Sequence, residues 1–438
     1  MTTAIALPYA KRTLPNGLDV IVHEDHRVPI VAVNLWYHVG SKNERSGRTG
    51  FAHLFEHLMF EGSEHHNGGY FLPLQQAGAL LNGSTNSDRT NYWEVVPTSA
   101  LELALWMESD RMGYLLPALT RERFETQRGV VLNERRQNYE NRPYGMALMA
   151  LSAALFPPDH PYHWLTIGDA EDLRAMEFED VRSFFRTYYH PANASLALAG
   201  DIETEHGFEL AEAYFGEIPA GDKPSSVHAD ASVAREVRLV LEDRVELPRV
   251  YMAWHSPAMF AEGDAEADLL ADLLANGKTS RLYRTLVYDK RLALDVSAYQ
   301  HSREISSFFL LASTAAPGQS LAEITALIDE RIQQVADEGP VGEEMERGLA
   351  QAEAHFMYRL QTVGGFGGKS DQLNAYNVFR GDPDFFGGDL ARYRRATRES
   401  VRATARRYLA FDRRVLLSVV PKGQPALALP GSEPVSVS

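Results

Sequence analysis

Short apolar stretches of strand character lie at residues 18–22, 31–37, 194–199, 237–241 and 305–312. Alternation of apolar and polar positions puts successive side chains on opposite faces of a sheet. Helical stretches of roughly ten to twenty residues fall between them, with the apolar recurrence expected of α-helices. Residues 51–61 are helix-compatible and apolar at Phe51, Leu54, Phe55, Leu58, Met59 and Phe60, with Gly62 placed to end the helix. Asn16-Gly17 reads as a hairpin turn. Strands interleaved with helices and joined in part by tight turns predict an α+β fold with mixed sheets packed against helices.

The pattern is also repeated. Pro29 in HRVPIVAVNLWYH and Pro248 in RVELPRVYMAWHS are 248 − 29 = 219 residues apart, half of the 438-residue chain. At that spacing Val31 falls on Val250 and Leu35 on Trp254. Later in each half, Glu179-Asp180-Val181-Arg182 leading to Tyr188 is similar to Glu399-Ser400-Val401-Arg402 leading to Tyr408. Internal duplication is the simplest account. The segment IPAGDKPSSVH, from Ile218, is rich in turn and linker residues. We therefore expect an N-terminal domain over 1–218, a linker over 219–234 and a C-terminal domain over 235–438.

Chemistry concentrates in His53-Leu54-Phe55-Glu56-His57. Two histidines four apart on a helix project from one face and can hold one metal ion. Glu56 shares that face, where a carboxylate can take a proton from a water at the metal. The bland alternative is a pair of hydrogen-bonded helix histidines. Two imidazoles and a carboxylate are costly to bury in so apolar a helix unless satisfied together, and a metal satisfies them. The chain has no cysteine, which excludes disulfides and thiolate ligands and leaves histidine and carboxylate.

The string HLFEH, with VVLNERRQNY further on, resembles the M16 family of zinc metallopeptidases, whose signature is HxxEH followed by a glutamate after 76 residues. Here the interval from His57 to Glu134 is 134 − 57 − 1 = 76. LPNGLDVIVHED, LNGSTNSDRTNYWEVVP and YYHPANASLALAGDI agree in order along the chain. The resemblance implies two homologous α/β halves enclosing a cavity, with Zn2+ held by His53, His57 and Glu134 and with Glu56 as general base. It implies that Asn82, Gly83, Ser84 and Thr85 contact substrate, on a strand whose edge a peptide joins by main-chain hydrogen bonds; small side chains at Gly83 and Ser84 would let that peptide approach closely. The bland reading of the same string is a turn-rich loop. Family members commonly carry glutamate seven residues before the ligand glutamate. This chain has Gln127, two helical turns from Glu134 and expected to hydrogen-bond near the metal.

At the 219-residue spacing His53, Glu56 and His57 fall on Asp272, Ala275 and Asn276, so the second half is expected to bind no metal. The resemblance also implies an arginine and a tyrosine, seven apart in the second half, that hold the substrate and stabilise the tetrahedral intermediate. Val287 and Leu294 stand at those positions and neither donates a hydrogen bond. A homologous partner subunit would supply the pair, giving a heterodimer; alternatively Tyr283, Arg284 or Tyr288 substitutes. Non-catalytic assembly subunits of the same fold and a self-sufficient homodimer are the competing readings.

A net charge of −16 argues against nucleic acid or anionic membrane as partner, and peptides are the expected substrates. No basic region followed by a long apolar stretch opens the chain, so a cytoplasmic location is expected, or a periplasmic one if a signal was removed. Three further features read as structural: surface histidines at His65-His66, a flexible loop at 364–368, and a solvated arginine-rich helix face at 392–395 and 402–407.

Overall fold

The computed structural model describes residues 6–437 and contains two six-stranded mixed sheets with helices around them. The first is built from β1 (Ala10–Thr13), β2 (Asp19–Glu24), β3 (Ile30–Tyr37), β4 (Leu80–Thr85), β5 (Thr90–Pro97) and β6 (Ala194–Gly200), in the order β1-β2-β6-β3-β5-β4. The second is built from β7 (Val237–Asp243), β8 (Arg249–Ser256), β9 (Ala293–His301), β10 (Ser307–Ala315), β11 (Val415–Pro421) and β12 (Glu433–Pro434), in the order β12-β7-β11-β8-β10-β9. In each sheet the second and third strands of the order run parallel and the following pairs antiparallel. β3 and β8 both have eight residues and begin 249 − 30 = 219 positions apart. The sheets differ at one edge, where β1 pairs antiparallel with β2 and β12 pairs parallel with β7.

Two compact units result. The first contains the chain up to Asn133, Thr166–Val227 and His355–Leu390; the second contains Glu134–Leu165, His228–Ala354 and the chain from Ala391 onward. The compact units are therefore not the continuous halves 1–218 and 235–438, because each takes in a helical segment from the other half. Residues 219–234 carry no helix, strand or turn.

Five helices matter below: α1 (Phe51–Leu58), α2 (Arg121–Arg135), α3 (Ala147–Leu155), α4 (Asp264–Ala275) and α5 (Lys369–Arg380). In the first unit α5 lies on one face of the sheet. Trp36 Nε1 donates to Asp371 Oδ1 at 2.9 Å, Ser195 Oγ to Asn374 Oδ1 at 2.8 Å, and Asn374 Nδ2 to the Asn34 carbonyl at 2.8 Å. With both faces covered, β3 reads as a near-continuous apolar run, as buried strands do. In the second unit α3 buries Leu151 and Leu155 against Phe308, Leu417 and Val419. On the other face, Leu270 and Leu274 of α4 pack with Trp254, Ile328 and Val401.

Two structural expectations are overturned here. Residues 364–368 form an anchored turn leading into α5. A Cβ on Gly364 would lie 2.6 Å from both Ala32 Cβ and Val95 Cγ2, so only glycine lets the turn rest on the sheet, and Asp371 Oδ2 accepts from the Gly367 N–H at 2.7 Å. Arg392 does not sit on a solvated face. It is largely buried and paired with Asp264 at 2.9 Å, beside the start of α4. No helix among the described residues is long and apolar enough to cross a membrane.

Candidate metal centre

The sequence shapes α1 in two ways. Gly50 precedes it in the left-handed region, with φ of 91°, and has no side chain to cap the first turn. Glu44 supplies the cap from the preceding loop: Oε2 accepts from the Gly50 N–H at 2.9 Å and Oε1 from the Ala52 N–H at 2.8 Å. Burial pushes the Glu44 carboxyl up to about 8, although backbone N–H groups of Ala52, Gly50 and Phe51 pull the other way. Asp172 braces the same loop, accepting from the Thr49 N–H at 3.0 Å and its hydroxyl at 2.7 Å. One side of α1 then buries Phe51, Leu54, Phe55 and Leu58, and the other carries the chemistry.

On that other side the His53 and His57 rings stand 4.9 Å apart, edge to face. One ligand atom from each, with a carboxylate oxygen of Glu134, form a trio lying within 4.8 Å of one another, all three residues half-buried. Glu134 is in the last turn of α2, where its Oε1 accepts from Asn138 Nδ2 at 3.3 Å. Immediately beyond, Arg136–Glu140 widens into a π-helical turn, a distortion that recurs at functional sites. Two imidazoles and a carboxylate converging without a thiolate fit zinc in a hydrolytic site. A second acidic and histidine group, Glu24, His26 and Glu203, is exposed, and His26 Nδ1 is already 2.7 Å from Asp201.

Glu56 lies on α1 between the two histidines, half-buried. Burial raises the tyrosines Tyr92 and Tyr189 above their ordinary range, and the Glu56 carboxylate adds to the rise in both. Behind these rings is a buried ionic group. Arg111 pairs with Glu108, lies 3.5 Å from Glu94, and sits over the rings of Tyr70 and Tyr92. Gln127 donates from Nε2 to Glu61 Oε1 at 2.5 Å, so its partner is the residue one turn beyond His57.

Asn82, Gly83, Ser84 and Thr85 lie on β4, the outermost strand of the first sheet, so the turn-rich loop reading does not hold. Gly83 is backed by rings of the same chain. A Cβ there would lie 3.0 Å from both Phe60 Cζ and Tyr92 Cδ1, so the glycine makes room for rings of the same chain. Ser84 Oγ donates to Asn91 Oδ1 at 2.7 Å, and Arg89 donates to the Ser84 carbonyl at 2.8 Å. Asn82 Oδ1 accepts from the Gly83 N–H at 2.8 Å. Arg89 and Glu44 were missed by sequence reasoning. Glu44 falls outside the quoted segments and Arg89 lies unremarked within LNGSTNSDRTNYWEVVP, and only packing reveals their partners.

Among the described residues the second half shows no such cluster, and the structure corrects the positions compared. Gly263 precedes α4 with φ of 92°, as Gly50 precedes α1, and 263 − 50 = 213. The loop from β8 to Gly263 is six residues shorter than the loop from β3 to Gly50, which accounts for the departure from 219. His53, Glu56 and His57 therefore correspond to Glu266, Leu269 and Leu270, not to Asp272, Ala275 and Asn276. Leu269 and Leu270 are buried in the core. Val287 lies in a π-helical stretch against that core, and Leu294 is exposed on β9. Arg284 is 3.8 Å from Asp289 in an exposed ion pair, Tyr283 packs on the core, and Tyr288 is exposed.

Residues 19–160 match the family described as Insulinase (Peptidase family M16), and residues 175–352 match that described as Peptidase M16 inactive domain. The zinc protease PqqE of Helicobacter pylori is 31% identical over 329 residues, covering 73% of this chain and 73% of that protein. The mitochondrial-processing peptidase subunit beta of Caenorhabditis elegans is 28% identical over 270 residues, 60% of this chain and 56% of that one. The crystal structure of a protease from Helicobacter pylori superposes with a TM-score of 0.88 at 25% identity, covering 94% of this chain and 100% of that chain.

Proposed function

Because the chain belongs to the M16 peptidase family, we propose that it is a zinc-dependent endopeptidase acting on unfolded or short peptides. The observation that carries the reading is the convergence of His53, His57 and Glu134 within 4.8 Å beside Glu56. Those three residues would hold zinc, which supplies Lewis acidity toward a peptide carbonyl and lowers the pKa of nearby water. Glu56 accepts the proton of the attacking water and returns it to the leaving amine. Glu44 and Gly50 fix the start of α1 and hence the direction of both imidazoles. Gln127, through Glu61, steadies the helix at its other end. The free edge of β4 pairs with an extended peptide, with Asn82, Gly83, Ser84 and Thr85 along the contact.

The partner reading also stands. Val287 and Leu294 offer no donors to a developing oxyanion, and a homologous subunit bearing arginine and tyrosine would complete the site. The C. elegans relative, named as a subunit, supports this. Purification from the native source is expected to bring down a second chain of similar size that lacks HxxEH.

The decisive substitution is Glu56→Gln. It is expected to retain one zinc per chain by metal analysis while turnover of a peptide falls roughly 1,000-fold, within the range of losing a general base. Cleavage near the wild-type rate would end the mechanism. Retained zinc with no cleavage by the wild-type protein, even with its partner, would favour an assembly role.

A further inference from the structure

The two faces of β4 meet different surroundings. Gly83 lies on the face toward α1, against Phe60. Leu80, Asn82 and Ser84 point the other way, in register with Val95, Trp93 and Asn91 of β5. α5 covers this second face over β3 and β6, through the hydrogen bonds to Asn34, Trp36 and Ser195 described above. Toward β4 the cover gives out: Trp93 and Val95 are half-buried and Leu80 is 70% exposed.

A cavity of about 470 Å³ occupies the gap, walled mainly by Val28, Ile30, Leu80, Trp93, Val95 and the Gly364–Gly365 backbone. Phe366 extends the wall, its half-exposed ring standing edge-on to Trp93 at 5.5 Å between centroids. The close seat of Gly364 on Ala32 and Val95 keeps the turn flat and the cavity open. Charges at the rim are satisfied internally: Arg27 donates twice to Asp25 at 2.6 Å, and Lys369 Nζ donates to Asp25 at 2.6 Å. The cavity therefore asks for a neutral, apolar occupant. One polar group beside it is left over, the buried indole N–H of Trp93, which has no hydrogen-bond partner.

We propose that this cavity is a specificity pocket that receives a bulky apolar side chain of the substrate peptide, an inference that rests on the peptidase reading above. A peptide added to the free edge of β4 sends alternate side chains to opposite faces of the sheet. Those facing α1 lie on the metal side; their neighbours face the cavity. Leu80 is three residues from Gly83, about 10 Å at roughly 3.3 Å per residue. The favoured residue thus lies about three positions along the peptide from the one opposite Gly83. The volume is within the range of pockets that bury small ligands. The enzyme would select extended peptides carrying a phenylalanine-like residue at a fixed distance from the cleaved bond.

The test separates binding from hydrolysis. Zinc-loaded Glu56→Gln protein, with its partner chain if one copurifies, is titrated with fluorescent ten-residue peptides in which one phenylalanine is walked along a polar and alanine background. One position should bind at least tenfold more tightly than its alanine counterpart, with a change in tryptophan emission that Trp93→Phe removes. Leu80→Glu, at an exposed side chain, should erase the difference between the two peptides. Equal affinity for both peptides, no binding of either, or a preference that survives Leu80→Glu would overturn the pocket. Wild-type cleavage without the phenylalanine preference sinks the pocket alone; the preference without cleavage sinks the hydrolytic reading alone.

Discussion

α1 and α4 are the same helix twice. Each follows a left-handed glycine and lies between corresponding strands of its sheet. In α4 the positions of Glu56 and His57 hold leucines with 4% and 1% exposure; in α1 the polar residues stay half-buried beside Glu134. The comparison teaches that the duplicated pattern specifies a sheet and a helix after a left-handed glycine, and leaves open whether the positions of Glu56 and His57 join the core, as in α4, or carry chemistry, as in α1. Chemistry needed further departures: a longer loop holding Glu44, three polar residues, and a carboxylate from α2.

Importing the chemistry into the other half breaks the comparison hardest. Leu270→His leaves a cavity and buries an imidazole with no carboxylate opposite, so we expect a loss of roughly 4–6 kcal/mol in urea unfolding and no added zinc in metal analysis. A second zinc per chain would show that α4 retains a latent site.

pH should act on both halves next, by an amount on the order of a few kcal/mol, and at alkaline pH on each, since burial also raises Asp268 of α4 to about 7. The Glu44 carboxyl is raised to about 8 by burial. The folded state therefore keeps a proton that the unfolded chain has lost: stability is fully present below the ordinary carboxyl range near 4.5 and lost as pH rises to 8. In the second unit burial, and then the charge of Arg303, lower His160 and His301 to about 4. Their contribution is fully present above pH 6.5 and lost as pH falls toward 4. Amide exchange should accordingly quicken, beyond its intrinsic pH dependence, in the α1 region toward pH 8 and around β9 and β10 toward pH 4. Glu44→Gln should reduce the alkaline slope in the α1 region and leave the part that Asp268 contributes in α4; parallel slopes in wild type and variant at α1 would remove this account.

The smallest contrast concerns the two glycines. Alanine at either costs about 1–2 kcal/mol for the left-handed backbone. At Gly50 the new methyl would also lie 2.7 Å from Leu173 Cδ2, against 3.1 Å from Pro257 Cγ at Gly263. Thermal unfolding should therefore place Gly50→Ala below Gly263→Ala. Zinc affinity should weaken only in Gly50→Ala, and the reverse order would mean the caps differ in some other way.

Much of this could be read before any coordinates, and the exceptions are instructive. His53, Glu56 and His57 are neighbours on one helix turn, so spacing alone puts them on one face, whatever the rest of the chain does. Gln127 is legible as a polar contact but not as the partner of Glu61, which lies just beyond the end of α1, 66 residues away in sequence. That Gly83 is backed by the rings of Phe60 and Tyr92 is not legible either, since neither ring belongs to its own strand. The turn at 364–368 was read as flexible because its composition is flexible, while its anchorage lies on strands more than 260 residues away.

By itself, the order of residues determined the repeated sheets, the buried runs of β3 and β8, and the metal-binding face of α1, because helix and strand periods are local properties of the chain. Tertiary structure alone decided which helix covers which sheet, that Glu44 crosses to the start of α1, that the helix register departs from 219, and that a cavity opens beside β4. These rest on contacts between residues far apart in sequence, where shape and exclusion of water choose among partners that no periodicity distinguishes.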